Sequence, residues 1–324
     1  MKLKIDPFLA LMMGTIVIAS IAPAHGAFAK LIEQIGTLAV AFLFFAHGAV
    51  LPRRALIDGL RNWKFHLFVF AVTFGLFPLI VQPLNMVPAT WMPPELLLGF
   101  LYLAALPSAV SSSIAFTSIA KGNVPAAVCN SAASNVFGLM LTPLLVTLLM
   151  RTDASGSIDL VESLEDIVVE LLLPFGLGQA LHTSLLRFTM RYKHRLEQYD
   201  QGVIIVIIYA AFSKSVVDGL WSELSATTLF LAIGMTCALL MIVISFMIAT
   251  THALRFSRED RIAAVFCGSK KSLASGLPLA QVLFAGSPAF AMIVLPIMLY
   301  NQIQIIVGAI MARRYSNQLE SVPH

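Results

Sequence analysis

The chain has 324 residues, of which 58% are hydrophobic and 12% charged, and its mean hydropathy is +0.86. Soluble domains carry roughly 25% charged residues, so a soluble globule of this length would lack the charges to cover its surface. The composition therefore excludes a disordered chain, a nucleic-acid-binding domain and a disulfide scaffold. It indicates an integral membrane protein with several spans. The net charge of +4 does not indicate a nucleic-acid partner, because the basic residues are spread through short loops.

Ten apolar segments are long enough to cross a bilayer, which requires about 20 apolar residues per helix. In chain order these spans are 7–23, 31–50, 64–84, 95–120, 124–150, 160–186, 201–219, 226–252, 259–285 and 288–312. The sequence thus predicts an all-α, multi-pass protein in contact with lipid. We expect it in the plasma membrane, which is the inner membrane if the source is bacterial.

The positions of lysine and arginine predict the orientation of these spans. With the N-terminus in the cytoplasm, sixteen of the 21 basic residues lie in inside segments and two, Lys30 and Arg151, in outside segments. The remaining three, Lys214, Lys270 and Lys271, lie within spans. Because cytoplasmic loops are enriched in positive charge, this distribution predicts ten spans with both termini in the cytoplasm.

The ten spans divide into two halves of five, residues 1–150 and 151–324, and an odd number per half makes the second half inverted. The fourth span of each half is interrupted by small, polar or proline residues, LPSAVSSS at 106–113 and GSKKSLASGLP at 268–278. Freed backbone groups in lipid must face protein or water, so we predict that helices 4 and 9 are discontinuous. The alternative for span 4 is a continuous helix whose serine hydroxyls bond to the preceding turn.

Polar side chains on and beside the interrupted spans are candidate ligands for a substrate or an ion. They are Ser111, Ser112, Ser113, Asn130, Ser131, Ser134, Asn135, Ser269, Lys270, Lys271 and Gln304. Freed helix ends can hold an ion or a carboxylate without an acidic side chain. The stripe at 130–135 repeats at i, i+4 spacing, although such residues also join helices to one another in membranes. No metal-ligand spacing and no P-loop occurs, so we expect no metal, no cofactor and no ATP drive.

Lys270 and Lys271 lie in an apolar span, and the interiors of spans 3, 5, 9 and 10 contain no acidic residue. An intramembrane lysine is costly unless it is paired, deprotonated or placed in a wet cavity. We hypothesise that one of these lysines stands in for a bound cation, attracts an anionic substrate or carries a transported proton. The alternative is a lysine whose ammonium extends to the cytoplasmic surface.

Two tracts carry a family resemblance: ALPSAVSSSIAFTSIAKGNVPAAVCNSAASNVFGLMLTPLL, which begins at Ala105, and CGSKKSLASGLPLAQVLFAG, from Cys267 to Gly286. They resemble the bile acid:sodium symporter superfamily, and the second tract resembles its divergent seventh-member branch and bacterial relatives. The resemblance implies a core domain of spans 3–5 and 8–10, a panel domain of spans 1, 2, 6 and 7, and alternating access between them.

The resemblance also implies where sodium would bind, since two sodium sites lie at the crossing of the broken helices in sodium-coupled members. Matched residue by residue, the family's sodium ligands fall on Thr73, on Ser112 and Ser113, on Ala127 and Ser131, near Phe266 and near Lys270. The acidic and glutamine ligands are replaced by phenylalanine, threonine and lysine. We therefore expect proton coupling or no coupling ion in preference to sodium.

The combined prediction is a secondary membrane transporter of an organic anion or small solute, and not an enzyme. Two alternatives stay open. The first is a non-transporting regulator, for example of calcium handling, which the resemblance to orphan members implies. The second is an intramembrane enzyme with a Ser–Lys dyad, such as Ser113 or Ser269 with Lys270. The sequence assigns no role to the acidic residues that open span 6, Glu162, Glu165, Asp166 and Glu170.

Overall fold

A computed structural model describes residues 7–50, 62–149, 168–219, 225–284 and 287–320, and within these ranges the chain is helical without strands. The helices are α1 Pro7–Ile21, α2 Gly26–Val50, α3 Trp63–Met86, α4 Pro94–Ala105, α5 Ser111–Ile119, α6 Val124–Leu149, α7 Val168–Ala180, α8 His182–Arg191, α9 Lys193–Val217, α10 Ala226–Ala253, α11 Arg258–Gly268, α12 Leu273–Leu283 and α13 Phe290–Glu320. The prediction of an all-α membrane protein is confirmed.

Six of the described helices, α2, α3, α6, α9, α10 and α13, are long and apolar enough to cross a membrane. The pair α7 and α8 would add a seventh, but the two helices are bent by 92° at the break between them. The sequence predicts one span over 160–186 and does not reveal this bend. The ten-span count, the inverted repeat and the location of the termini stay predictions, and the boundary between the predicted halves lies outside the described residues.

Spans 4 and 9 are each divided into two short helices, so neither crosses the membrane as a single continuous helix. Helix α4 ends at Ala105 because Pro107 restricts the residue before it, and Leu106 is accordingly extended at φ −70°, ψ 151°. Helix α11 begins after Ser257, whose hydroxyl accepts from the Asp260 N–H at 3.1 Å, a standard helix cap. It ends at Gly268, and α12 starts at Leu273. The first break is therefore 106–110 and the second 269–272.

The chain divides into two compact units. Unit 1 comprises residues 1–51, 152–226 and 277–294. In it α2 packs against α7, α8 and α9. The approach of α2 to α7 is very close, since a Cβ at Gly48 would meet the Phe175 carbonyl and one at Gly178 the Phe45 carbonyl. Small residues at such positions let membrane helices pack backbone against backbone.

Unit 2 comprises residues 52–151, 227–276 and 295–324. It contains both breaks, and α11 packs in it against α3, α5 and α6. A buried cluster of Ala120, Ile262, Phe266 and Ala312 joins α11 to the end of α5 and to α13. Because helix ends expose unpaired backbone groups, the two breaks inside this unit must find partners from other elements.

Candidate functional site

The two breaks pair with each other through their backbones. The Ser272 N–H donates to the Pro107 carbonyl at 2.9 Å, and the Ala109 N–H donates to the Lys270 carbonyl at 3.4 Å. The two bonds join residues in antiparallel register, as in a minimal pair of strands. The breaks thus form one structure, which we call the break crossing, residues 106–110 and 269–272.

One residue of each break, Ser108 in the first and Lys271 in the second, is clamped by side chains of the next long helix, α6 or α13. On α6, the Ser134 hydroxyl accepts from the Ser108 N–H at 3.0 Å, and Asn135 Nδ2 donates to the Ser108 carbonyl at 2.9 Å. On α13, Gln304 Oε1 accepts from the Lys271 N–H at 2.9 Å, and Gln304 Nε2 donates to the Lys271 carbonyl at 2.9 Å. Buried backbone groups are nearly always paired, and here polar side chains take the place of helical hydrogen bonds.

The Lys271 ammonium is held by three backbone carbonyl oxygens. Its Nζ donates to Thr73 at 2.8 Å, Ala104 at 2.8 Å and Leu106 at 2.7 Å. An ammonium has three N–H donors and no acceptor, so this set, which we call the carbonyl cage, uses its whole capacity. The Phe77 ring lies 4.0 Å from Nζ, and the side chain is fully buried.

The cage oxygens are available because the local backbone leaves them without helical donors. In the π-helical turn Val72–Leu76 of α3, the Phe77 N–H bonds to Val72, and the next residue, Pro78, has no N–H to offer Thr73. Ala104 loses its helical donor because the Ser108 N–H bonds to Ser134. Leu106 lies beyond the end of α4. Two prolines and a π turn therefore create the cage.

Lys270 is also buried, but its surroundings differ. Its Nζ donates to the Gln304 carbonyl at 3.1 Å and lies 4.2 Å from the centre of the Phe116 ring, a cation–π geometry. Neither lysine ammonium extends to a surface. Among the described residues no carboxylate lies within ion-pair distance of either lysine.

Most of the other predicted residues lie around the crossing. The Ser113 hydroxyl donates to the Phe266 carbonyl at 3.0 Å, and Ser131 Oγ lies 3.7 Å from Cys267 Sγ. Asn130 contacts His66, away from the breaks. The remaining three are Ser269, whose hydroxyl donates to Val265, and Ser111 and Ser112, which are exposed and partly exposed. Ser269 and Lys270 thus have different partners, and the geometry does not favour a Ser–Lys dyad.

Several residues that complete the crossing were not predicted. The Ser108 hydroxyl donates to the Cys267 carbonyl at 2.6 Å, and the Tyr300 hydroxyl donates to the Ser269 carbonyl at 2.8 Å. The Ser275 hydroxyl donates to Asn135 Oδ1. Ser108 and Ser275 lie within the predicted interruptions, so their position was a usable signal. Tyr300 precedes Gln304 by one helical turn. Its hydrogen bond to the second break is visible only in the folded structure.

Of the acidic residues at the start of span 6, Glu162, Glu165 and Asp166 lie outside the described residues. Glu170 belongs to α7 in unit 1. It is not part of the break crossing, whose residues all belong to unit 2.

Comparison with known proteins places this geometry in context. The family model of the SBF-like CPA transporter family matches residues 6–317. The chain is 42% identical over 322 residues to a protein of Escherichia coli that is named as a symporter, YfeH, covering 98% of this chain and 95% of that protein. It is 43% identical over 316 residues to an uncharacterised protein of Pseudomonas aeruginosa, with 97% and 93% covered. The sodium/bile acid cotransporter 7 of Rattus norvegicus is 28% identical over 276 residues, with 85% and 81% covered.

Proposed function

The chain belongs to the SBF-like CPA transporter family, and on this premise we propose that it is a secondary transporter of a small organic solute that works without sodium. The resemblance predicted from the sequence is confirmed, and the protein is a multi-pass membrane transporter of the bile acid:sodium symporter type. The class of solute and the absence of sodium coupling are what we propose.

The observation that carries the sodium-free mechanism is the ammonium of Lys271 in the carbonyl cage. Backbone carbonyls are the kind of ligand that a hard monovalent cation takes in place of water. Here a covalently attached cation uses all three oxygens of the cage. A sodium ion at the same oxygens would be repelled by a like charge in a medium of low dielectric constant. The name of the Rattus norvegicus relative refers to sodium, but this cage argues against extending that coupling to the present chain.

The surroundings of the cage support the same conclusion. The described part of unit 2 offers no carboxylate to the lysines, so a second cation would lack the negative charge that usually balances it. Proton coupling and uniport are the mechanisms consistent with the proposal. Paired helix breaks near a membrane midplane are the usual architecture of alternating access, and the division of the chain into two compact units supports it.

A sodium test that needs no substrate uses the purified protein. The unfolding temperature of the wild type should be equal in sodium chloride and choline chloride, because the cage is already filled. Lys271→Ala should be destabilised, and sodium should restore part of the loss by binding the freed oxygens. Lys64→Ala, which removes an exposed lysine, is the matched control. A wild-type unfolding temperature that rises with sodium would contradict the proposal.

A flux test addresses transport itself. Proteoliposomes containing the protein are given a panel of labelled carboxylates and amino acids, with sodium or choline outside. At least one solute should enter at the same rate in both salts, and Lys271→Ala should reduce that rate about tenfold or more, since the crossing loses its cation. Uptake that requires sodium would refute the mechanism. No uptake of any panel member would favour the non-transporting regulator.

A further inference from the structure

Unit 1 contains a cavity of about 410 Å³ that the break crossing does not use. Its wall is formed by the link between α1 and α2 and the first part of α2, by α7 and α9, and by the end of α12 and residues that follow it. Every described residue on this wall belongs to unit 1. The polar part of the wall includes Lys30, Glu33, Glu170, Ser213, Lys214 and Gln281.

Among the described residues of the wall, two polar atoms have no hydrogen-bond partner. They are Ser213 Oγ and Gln281 Oε1, and both atoms are buried. Several serine and threonine hydroxyls of unit 1 bond to the carbonyl four residues earlier, as Ser20 does at 2.8 Å. Ser213 is only 1% exposed and does not do so. A buried polar atom left unpaired costs free energy, so these two atoms call for a partner from within the cavity.

Gly36 shows that the Gln281 amide is held against α2. A Cβ at position 36 would lie 2.9 Å from Gln281 Nε2, so the amide nitrogen packs directly against this glycine. With its nitrogen against the α2 backbone, the amide keeps its oxygen for another donor. Because a carbonyl oxygen only accepts, that donor must be an N–H or O–H group.

Among the described residues of the wall, the formal charges of lysine and glutamate are balanced. Lys30 and Lys214 contribute two positive charges, and Glu33 and Glu170 contribute two negative charges. A net anion would therefore meet as much repulsion as attraction. A solute that carries both charges can pair with both kinds of group. Val40, Ile207 and Phe284 supply apolar surface beside them, which suits an apolar body.

We propose that this cavity binds a zwitterionic solute with an apolar body and a hydrogen-bond donor that reaches Gln281 and Ser213. This names the solute class of the transporter proposed above and rests on that proposal. It narrows the expectation of an organic anion to a net-neutral molecule.

The test uses three indole compounds of matched shape with the purified full-length protein. L-tryptophan is the zwitterion, indole-3-propionate the anion and tryptamine the cation. Tryptophan should raise the unfolding temperature more than either of the others. Ser213→Ala and Gln281→Leu should each weaken tryptophan binding about fivefold, as expected for one lost hydrogen bond. Ser215→Ala is the matched control, because Ser215 is buried on the same helix but is not on the cavity wall.

Three results would overturn the proposal: no response to tryptophan up to its solubility limit, an equal or larger response to indole-3-propionate, or unchanged affinity in both cavity variants. The flux assay separates this failure from that of the transporter. If sodium-independent uptake of a panel solute persists while tryptophan does not bind, only the cavity assignment fails. If no solute enters, the transporter proposal fails.

Discussion

The side chain of Gln304 hydrogen-bonds both backbone groups of Lys271. Oε1 accepts from the Lys271 N–H and Nε2 donates to its carbonyl, both at 2.9 Å. One amide thus replaces the two hydrogen bonds that a continuous helix would have provided. It also fixes the start of the lysine side chain, whose ammonium lies in the carbonyl cage of Thr73, Ala104 and Leu106.

Replacing this amide should destabilise the protein. Gln304→Leu keeps the size of the side chain but leaves the Lys271 N–H and carbonyl buried and unpaired, at a cost of about 3 kcal/mol. Chemical unfolding in detergent measures the loss. Gln34→Leu, which changes an exposed glutamine on α2, should have little effect. Equal stability of the two variants would show that the clamp contributes nothing.

Asn135 performs the corresponding task at the first break, and its loss should couple to that of Gln304. Asn135→Leu removes donors to the carbonyls of Ser108 and Ser131. Because Ser108 and Lys271 belong to breaks that are hydrogen-bonded to each other, the effects of the two variants should not add. A double-mutant cycle should give an interaction of about 0.5 kcal/mol or more. Strict additivity would mean that the breaks are energetically independent.

Arginine should not replace lysine in the cage. Lys271→Arg keeps the charge, but a planar guanidinium is larger and directs its five N–H groups in a fixed fork. Three carbonyls that converge on one nitrogen do not match that fork. The variant should therefore unfold at a lower temperature and lose sodium-independent uptake, whereas Lys64→Arg should behave as wild type. Uptake retained by Lys271→Arg would show that positive charge alone is sufficient.

Gly308 leaves space for the Lys270 ammonium. A Cβ there would lie 2.7 Å from Lys270 Nζ and 2.8 Å from the Phe116 ring. Gly308→Ala should therefore displace the lysine and reduce uptake with only a small change in stability, since the side chain is flexible. Gly234→Ala is the control, because its Cβ would meet nothing within 4 Å. Wild-type uptake by Gly308→Ala would mean that the position of Lys270 is not important for transport.

The contact of α2 with α7 in unit 1 gives a stability prediction with a control on the same helix. A Cβ at Gly178 would collide with the Phe45 carbonyl, whereas one at Gly176 would meet nothing within 4 Å. Gly178→Ala should cost about 2 kcal/mol or more, since a packed backbone has no room to move. Gly176→Ala should be neutral or stabilise by up to about 1 kcal/mol through helix propensity. Thermal unfolding of the two variants distinguishes them.

The positions of the breaks were predictable because they follow from local chemistry. A proline restricts its predecessor and removes a donor, and the serines around Pro107 stand out in an apolar run. The bend between Ala180 and His182 had no such marker, since no proline or glycine occupies that point. The bend was not predicted because the periodic spacing of apolar residues is the same in a straight helix and in a bent one.

Composition and local pattern were enough to predict a helical membrane protein, the positions of two helix breaks, and two lysines within an apolar span whose interior has no acidic residue. These conclusions depend on composition and local pattern, which need no knowledge of the fold. That Lys271, and not Lys270, fills the carbonyl cage could not be predicted from the sequence and follows from the folded structure. Thr73 is 198 residues and Ala104 is 167 residues from that lysine. Adjacent lysines have the same local chemistry, so their difference arises from which distant backbone oxygens the fold leaves unpaired.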